Sequence, residues 1–320
     1  MRRIYARTTV AIALGCLTPS AAEPTRQAAV GSVVVSVDRD WPPNDVQGAH
    51  LSVLVAGRSV PILRFTRLDG PAAILLLVDL TWSVTRGSNP QLDGLAQPRP
   101  QQNYPGMFPG LISGLDKAFL PWLGPTDRVK VGSFAGHHLT FSRTAAASSD
   151  RLAAFSEAVN PAAAPPDDWF GAAPVWDAVD SAVAQLTDER RPRAIVLVTD
   201  GQASGNRVGV EEAVRTAIRH GVAVHVVCAK SWWDPAQYQP ADTFVRVLAE
   251  ETGGLFRADD PFHRLKWDKP ARIFGDLVAA VHGSAELQLD VTDVPDGVWP
   301  LIVRTSVPDV TVHAPHWLAK

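Results

Sequence analysis

Apolar runs of strand length alternate with amphipathic stretches through most of this 320-residue chain, and this alternation limits how it can fold. Parallel strands need a crossover connection, usually a helix, and the helices then cover both faces of the sheet. The pattern therefore predicts a doubly wound, mostly parallel α/β domain over residues 70–282. The predicted strands are 72–80, 128–134, 194–199, 222–228 and 255–257. The predicted helices are 111–123, 151–159, 174–186, 210–219 and 243–251, with a hairpin strand at 138–142.

Shorter β-rich runs lie at both ends of the chain. Residues 32–37, 51–55 and 58–62 precede the α/β pattern, and residues 286–291, 299–304 and 310–313 follow it. We expect residues 30–68 and 284–320 to pack together as a small β-rich module beside the α/β domain. The segment 84–109 is rich in Pro, Gln, Asn and Gly, which predicts a long surface loop.

The first 22 residues have the layout of a secretory signal peptide. Arg2, Arg3 and Arg7 precede a short apolar run, and Ser20-Ala21-Ala22 provides small residues for cleavage. We therefore expect an exported protein, either periplasmic or secreted. An alternative is lipidation at Cys16, because residues 13–16 resemble a bacterial lipoprotein box, and the chain would then be tethered to a membrane.

Charge and hydropathy exclude several classes of partner. The formal net charge is -3, and removal of the leader would remove three arginines and leave the mature chain more acidic. Nucleic-acid binding needs a basic surface, so we expect no nucleic-acid partner. No stretch after the leader is long and apolar enough for a transmembrane span.

Side chains suited to enzymatic chemistry do not form a familiar motif. Cleavage would leave Cys228 as a lone cysteine in a predicted buried strand, where a thiol usually serves as core packing. The sequence contains no Gly-x-Ser-x-Gly elbow, Walker loop or His-Glu-x-x-His motif. We therefore expect a non-catalytic binding protein.

Oxygen-bearing side chains follow the first predicted strand at alternate positions. Asp79 ends the strand, and Thr81 and Ser83 follow it. Asp200 follows another strand of the same predicted sheet, so its carboxylate should emerge at the same edge. Hard cations such as magnesium prefer oxygen ligands, which makes these four residues candidate metal ligands. Taken alone, Asp79 is better explained as a helix N-cap, and Asp200-Gly201 as a turn.

These motifs together resemble the von Willebrand factor A family, and in particular the bacterial VWFA-related proteins. The first strand and its loop read LLLVDLTWS, which is similar to the family's Asp-x-Ser-x-Ser motif. The later strand reads RPRAIVLVTDGQASG, with the Thr-Asp-Gly signature, and EEAVRTAIRHGVAVHVV and LAEETGGLFRA extend the likeness. The β-rich segments at both ends also resemble those of VWFA-related proteins.

The resemblance implies a divalent-metal adhesion site. Its metal, Mg²⁺ or Mn²⁺, would be held by Asp79, Thr81, Ser83 and Asp200, together with a threonine from a third loop. In this chain the third loop is residues 171–177, and Ala173 occupies the threonine position, so one ligand is missing. Trp82 also replaces a small residue and would crowd the pocket. Asp177 lies on a predicted helix, and we interpret it as structural.

The resemblance also implies a protein partner, whose carboxylate would complete the coordination of the metal. Exposed tryptophans often anchor binding sites. Five aromatic residues are expected near the carboxyl edge of the sheet and are candidate partner contacts: Trp82, Trp169, Phe170, Trp232 and Trp233. The alternative hypothesis is a metal-free scaffold or assembly protein of the cell envelope that binds through this aromatic patch.

Overall fold

The computed structural model describes residues 29–37, 47–81, 84, 116–143, 150–159, 168, 171–189, 192–229, 235–259, 268–308 and 310–320. The strands are β1 (Val30–Val37), β2 (Leu51–Val55), β3 (Arg58–Val60), β4 (Ile62–Arg67), β5 (Ala73–Asp79), β6 (Arg128–Ala135), β7 (His138–Phe141), β8 (Arg193–Thr199), β9 (Ala223–Ala229), β10 (Phe256–Asp259), β11 (Ala285–Asp290), β12 (Val298–Thr305), β13 (Val312–His313) and β14 (Trp317–Ala319). The α-helices are α1 (Arg151–Ala158), α2 (Val175–Ala184), α3 (Val210–His220), α4 (Pro235–Glu251) and α5 (Asp268–His282).

A six-stranded sheet forms the centre of the α/β domain, in the order β10-β9-β8-β5-β6-β7. All neighbouring pairs are parallel except β6 and β7, which form an antiparallel hairpin. Numbered within the domain, the strand order is 3-2-1-4-5-6, which is the order of a doubly wound sheet. The predicted fold class, a mostly parallel sheet with helices on both faces, is confirmed.

The strand β5 lies in the middle of this sheet and is buried along its whole length. Its side chains alternate between two apolar cores, as the two-residue period of a strand requires. Leu76 and Val78 join a cluster with residues of α1 and α5, including Phe274. Leu77 joins the opposite cluster, with residues of α2, α3 and α4. Cys228 packs in this second cluster and is fully buried.

The β-rich segments at the two chain ends form a sandwich of two four-stranded sheets. The orders are β13-β1-β11-β4 and β14-β12-β2-β3, so each sheet contains strands from both ends. A separate apolar cluster fills the space between the sheets, with Val35, Val55, Leu287 and Leu301 among its buried members. The β-rich module built from both ends, which the sequence predicts, is therefore present.

Several contacts connect the sandwich to the α/β domain. The N–H of Leu68 donates to the carbonyl of Ser284 at 3.0 Å, where the chain leaves and re-enters the sandwich. The N–H of His316 donates to the carbonyl of Glu251 at 3.1 Å, at the end of α4. Strand β14 also lies against α3.

Several elements differ from the sequence predictions. Helix α5 and strand β14 are not among the predicted elements, and α4 begins at Pro235 rather than at residue 243. The predicted helix 111–123 is described only from residue 116, and it ends in a 3-10 turn at Leu120–Trp122. The leader and nearly all of the predicted surface loop lie outside the described residues. Of the helices that the structure describes, none is long and apolar enough to cross a bilayer.

Candidate functional site

Asp79 stands at the carboxyl end of β5, where the order of strands along the sheet reverses. One of its oxygens accepts hydrogen bonds from the backbone N–H of Thr81 at 2.9 Å and from the Thr81 hydroxyl at 2.6 Å. The other oxygen accepts a hydrogen bond from the hydroxyl of Thr199 at 2.7 Å. The carboxylate is fully buried. The loop after β5 thus folds back onto Asp79, which fixes the position of the Thr81 hydroxyl beside it.

Asp200 follows β8, the neighbour of β5, and is also fully buried. One of its oxygens accepts a hydrogen bond from the N–H of Gln202 at 3.0 Å. Thr199 joins the two loops, because its hydroxyl donates to Asp79 and accepts from the N–H of Gly201 at 3.1 Å. The parallel pairing of the strands therefore brings the two acidic residues to the same edge of the sheet.

The two carboxylates influence each other electrostatically. Burial, and after it the neighbouring charge of Asp200, raise the pKa of Asp79 to about 7, although hydrogen bonds from Thr81 and Thr199 partly oppose the shift. Two buried carboxylates side by side are unfavourable, because each lacks the hydration that would stabilise its charge. A divalent cation between them would remove this repulsion.

The predicted metal ligands that the structure describes lie together, since Asp79 contacts Thr81 and interacts with Asp200. Ser83 and Trp82 lie outside the described residues. Carboxylate and hydroxyl oxygens suit Mg²⁺ or Mn²⁺, which also retain water ligands. Within the described parts of the chain, no three His, Cys, Asp or Glu side chains cluster in a way that would hold a metal. The donor set fits a hard cation with an incomplete protein shell.

The third loop brings no side-chain oxygen to the site at position 173. It contacts the loop after β8 through its backbone groups. Ala173 is buried, and its methyl group belongs to the apolar cluster below the loop. Its N–H donates to the hydroxyl of Ser204 at 3.1 Å, and its carbonyl accepts from the N–H of Ser204 at 2.9 Å. Gly205 has φ +68°, and a Cβ there would lie 2.5 Å from the Cβ of Ala172. The third loop and the loop after β8 are therefore packed directly together.

Asp177, in the first turn of α2, holds the loop after β8 in place. Its carboxylate accepts hydrogen bonds from the N–H groups of Arg207 at 2.9 Å and Val208 at 3.0 Å. Burial alone would raise the pKa of Asp177, but these hydrogen bonds and the Arg207 guanidinium outweigh it and lower the pKa. The side chain of Asn206 accepts from the N–H of Trp176 at 2.7 Å and so caps the helix. Asp177 thus has a structural role.

Three of these residues were not predicted to contribute: Thr199, Ser204 and Asn206. A sequence signal existed for Thr199 alone. The register pairs Val78 with Val198, so the next residues along the two strands, Asp79 and Thr199, lie side by side. The Ser204 and Asn206 contacts depend on how two loops fold over one another, which no local pattern reveals.

The aromatic candidates all lie outside the described residues. Trp82, Trp169, Phe170, Trp232 and Trp233 remain predictions of a partner-binding patch at this edge. The described tryptophan within segment 171–177 is Trp176, which lies in the first turn of α2 and is buried in the apolar cluster there.

The topology and the position of the acidic residues define the class of fold. A sheet of order 3-2-1-4-5-6, with an antiparallel third strand and with Asp79 and Asp200 at the ends of adjacent central strands, forms a von Willebrand factor A-like domain. The fold that the resemblance predicts is confirmed. The narrower VWFA-related group stays a prediction.

Comparisons with known proteins give remote structural similarity. No family model matches the chain, and no curated protein matches it. Among solved structures, the chain is similar to proximal thread matrix protein 1 from the mussel byssus, with 13% identity, 82% of this chain and 51% of that chain covered, and a TM-score of 0.46. It is also similar to a von Willebrand factor type A protein from Catenulispora acidiphila (11% identity, 90% and 73% covered, TM-score 0.44). A third similar structure is the manganese-loaded TRAP protein of Plasmodium vivax (13% identity, 78% and 95% covered, TM-score 0.42). The chain spans about half the length of the mussel protein.

Proposed function

We propose that this protein is an exported, non-catalytic binding protein that holds a protein partner at the carboxyl edge of its von Willebrand factor A-like sheet. A Mg²⁺ or Mn²⁺ ion, held by Asp79, Thr81, Ser83 and Asp200, would lie at the centre of this edge. The pair of fully buried, neighbouring carboxylates carries the proposal. A cation offsets their repulsion and, with a water-filled position left by Ala173, can accept an acidic group from the partner.

Isothermal titration of the purified protein with MgCl₂ and MnCl₂ tests the metal. We expect one binding event that Asp79→Ala and Asp200→Ala each abolish. Asp69→Asn is the matched control, because its carboxylate is 68% exposed and lies outside the site. Heat release that persists unchanged in Asp79→Ala would exclude the proposed metal site.

A metal-free scaffold of the cell envelope is the second candidate function. The buried, apolar setting of Ala173 favours it, since this position supplies no oxygen to an ion. The partner would then contact the aromatic patch directly, and chelation with EDTA would leave partner binding unchanged. The metal-dependent version requires that EDTA abolishes it.

Export is the remaining part of the proposal, and it rests on the leader at residues 1–22. Intact-mass measurement of the mature protein from its host distinguishes the two predicted forms. Cleavage after Ala22 gives a chain that begins at Glu23. Lipidation gives a heavier, acylated chain that begins at Cys16 and partitions into the membrane fraction, and Cys16→Ser would prevent this.

A further inference from the structure

A second candidate surface lies where α3 and α4 meet the β-sandwich. Two adjoining cavities, of about 440 and 230 Å³, share four of their lining residues: Ile218, Arg219, Trp317 and Ala319. We call the combined space the β14 groove, because β14 lines both cavities. It reaches the start of β9 at Ala223, at the amino edge of the sheet, opposite the site at Asp79 and Asp200.

The larger cavity is apolar and partly open to solvent. One wall is a stripe of α3 in which Val210, Val214 and Ile218 are spaced four residues apart. Across from it, Val298 is 50% exposed and Trp317 is 38% exposed. Exposed apolar side chains that converge on one groove usually mark a binding surface. This cavity therefore offers a pocket for an apolar side chain.

The smaller cavity lies along the outer edge of β14, the terminal strand of its sheet, which within the described part of the chain pairs only with β12. The N–H of Leu301 donates to the carbonyl of His316 at 2.7 Å, and Pro300, which has no N–H, lies opposite Trp317. Hydrogen-bonded and non-bonded pairs alternate along an antiparallel ladder. The N–H and C=O groups of Trp317 and Ala319 consequently point away from β12, towards the cavity. They can therefore form hydrogen bonds with the main-chain N–H and C=O groups of another extended strand.

Arg219 gives the smaller cavity its positive charge. Of the described residues that line the smaller cavity, it is the charged one, whereas the larger cavity is lined by Arg219 together with Glu211, Arg215 and Glu251. Within the described parts of the chain its guanidinium forms no salt bridge, although its charge acts on Glu212, which is paired with the neighbouring Arg215 at 2.5 Å. An acidic side chain in the smaller cavity would complement Arg219.

We propose that the β14 groove binds an extended segment of a partner protein, which adds a strand to β14. The segment hydrogen-bonds to the main chain of Trp317 and Ala319, places an apolar side chain against the α3 stripe, and pairs an acidic side chain with Arg219. This surface is separate from the site at Asp79, and it does not depend on the metal.

Fluorescence anisotropy with a capped, labelled peptide of alternating valine and glutamate tests the proposal. We expect saturable binding, at least tenfold weaker binding of the same peptide with lysine in place of glutamate, and a similar loss when the peptide backbone is N-methylated. Arg219→Gln should remove most of the preference for glutamate over lysine. Equal binding of the N-methylated peptide would overturn strand addition.

Ala319→Pro is the sharpest variant, because it removes an N–H that faces the groove and makes no bond to β12. We expect at least a tenfold loss of peptide binding with an unchanged circular dichroism spectrum. Leu63→Ala is the matched control: Leu63 is 49% exposed on β4, away from the groove, and its variant should bind normally. If the wild type instead forms a concentration-dependent dimer that Ala319→Pro dissociates, the occupant is a second copy and the proposal is wrong.

Discussion

Asp79 is buried among groups that do not neutralise it. In the described part of the chain its contacts are two threonine hydroxyls and one amide N–H, and the charge that acts on it is the like charge of Asp200. Hydrogen bonds stabilise a carboxylate but do not cancel its charge. Retaining such a residue at a sheet edge costs stability, and a cost of this kind is common at functional sites.

Removal of this charge should therefore stabilise the metal-free protein. At pH 8, above the pKa of about 7, Asp79 is ionised. In EDTA we expect Asp79→Asn to raise the free energy of unfolding by about 1 kcal/mol. In excess MgCl₂ the wild type should be more stable than Asp79→Asn, because only the wild type gains free energy from binding the ion. Urea denaturation under both conditions measures this, and a variant less stable than the wild type in EDTA would contradict it.

Ala173 allows a gain-of-function test at the missing ligand. Ala173→Thr restores a hydroxyl at the position where the family resemblance implies one, so we expect tighter Mg²⁺ binding. The methyl group is buried, so the larger side chain should also lower stability by about 1 kcal/mol. Ala173→Val is the matched control, because it has the same shape without the hydroxyl. Equal Mg²⁺ affinity in the two variants would show that position 173 does not face the ion.

The sequence predicts part of this site for a physical reason. Parallel strands that end together bring their terminal residues to one edge, so Asp79 and Asp200 could be placed near each other from strand patterns alone. The contact between Thr81 and Asp79 follows from their spacing of two residues. The Ser204 and Asn206 contacts could not be predicted, since they depend on the path of a loop that has no periodicity.

At the scale of elements, strands were easier to predict than helix boundaries. The strand β5 is a continuous apolar run, which is the signature of burial on both faces. Helix α5 has apolar residues at Phe274, Leu277, Val278 and Val281, with helical spacing, but Pro270 in its first turn and Gly275 in its middle obscure the pattern. Proline is tolerated in a first turn, because the N–H that it lacks would have no partner there.

Asp127 connects α5 to the start of the sheet. Its buried carboxylate accepts from the N–H groups of Ala72 at 2.9 Å and Gly124 at 2.7 Å, and it contacts His282 Nε2 at 2.9 Å. Burial by itself would raise the pKa of Asp127, but the hydrogen bond from His282 and those from the backbone lower it below 3.8. The ionised form is therefore preferred in the folded state.

This lowered pKa predicts how stability depends on pH. A carboxyl group whose pKa falls on folding contributes stability above its unfolded pKa, 3.8, and loses it as the pH falls through the lower folded value. At pH 7 we expect Asp127→Asn to cost about 1–3 kcal/mol, because the amide has a single acceptor oxygen, so one of the two backbone N–H groups, of Ala72 or of Gly124, loses its acceptor. The difference from the wild type should shrink below pH 3.8. A difference that stays constant down to pH 2.5, in parallel urea titrations, would contradict this.

At the scale of the whole molecule, the two ends of the chain form one structure. Strand β11 pairs with β1 on one side and with β4 on the other, so a C-terminal strand completes a sheet of N-terminal strands. The alternating pattern of each segment predicts strands, but it does not specify which strands pair. Pairing depends on contacts between residues more than 200 positions apart, such as Val33 with Leu287.

A single core residue of β11 should therefore control the stability of the whole sandwich. Leu287 is fully buried, and its neighbours Glu286 and Gln288 are only partly buried, because alternate residues face opposite sides. We expect Leu287→Ala to lower the free energy of unfolding of the sandwich by about 2–5 kcal/mol, through lost apolar burial and the cavity left behind. Gln288→Ala, on the other face of the same strand, should change it by less than about 0.5 kcal/mol.

Hydrogen exchange distinguishes the sandwich from the α/β domain in the Leu287→Ala variant. We expect faster exchange in β1 and β4 and unchanged exchange in β5. Equally accelerated exchange in β5 would show that the sandwich and the α/β domain unfold as one cooperative unit.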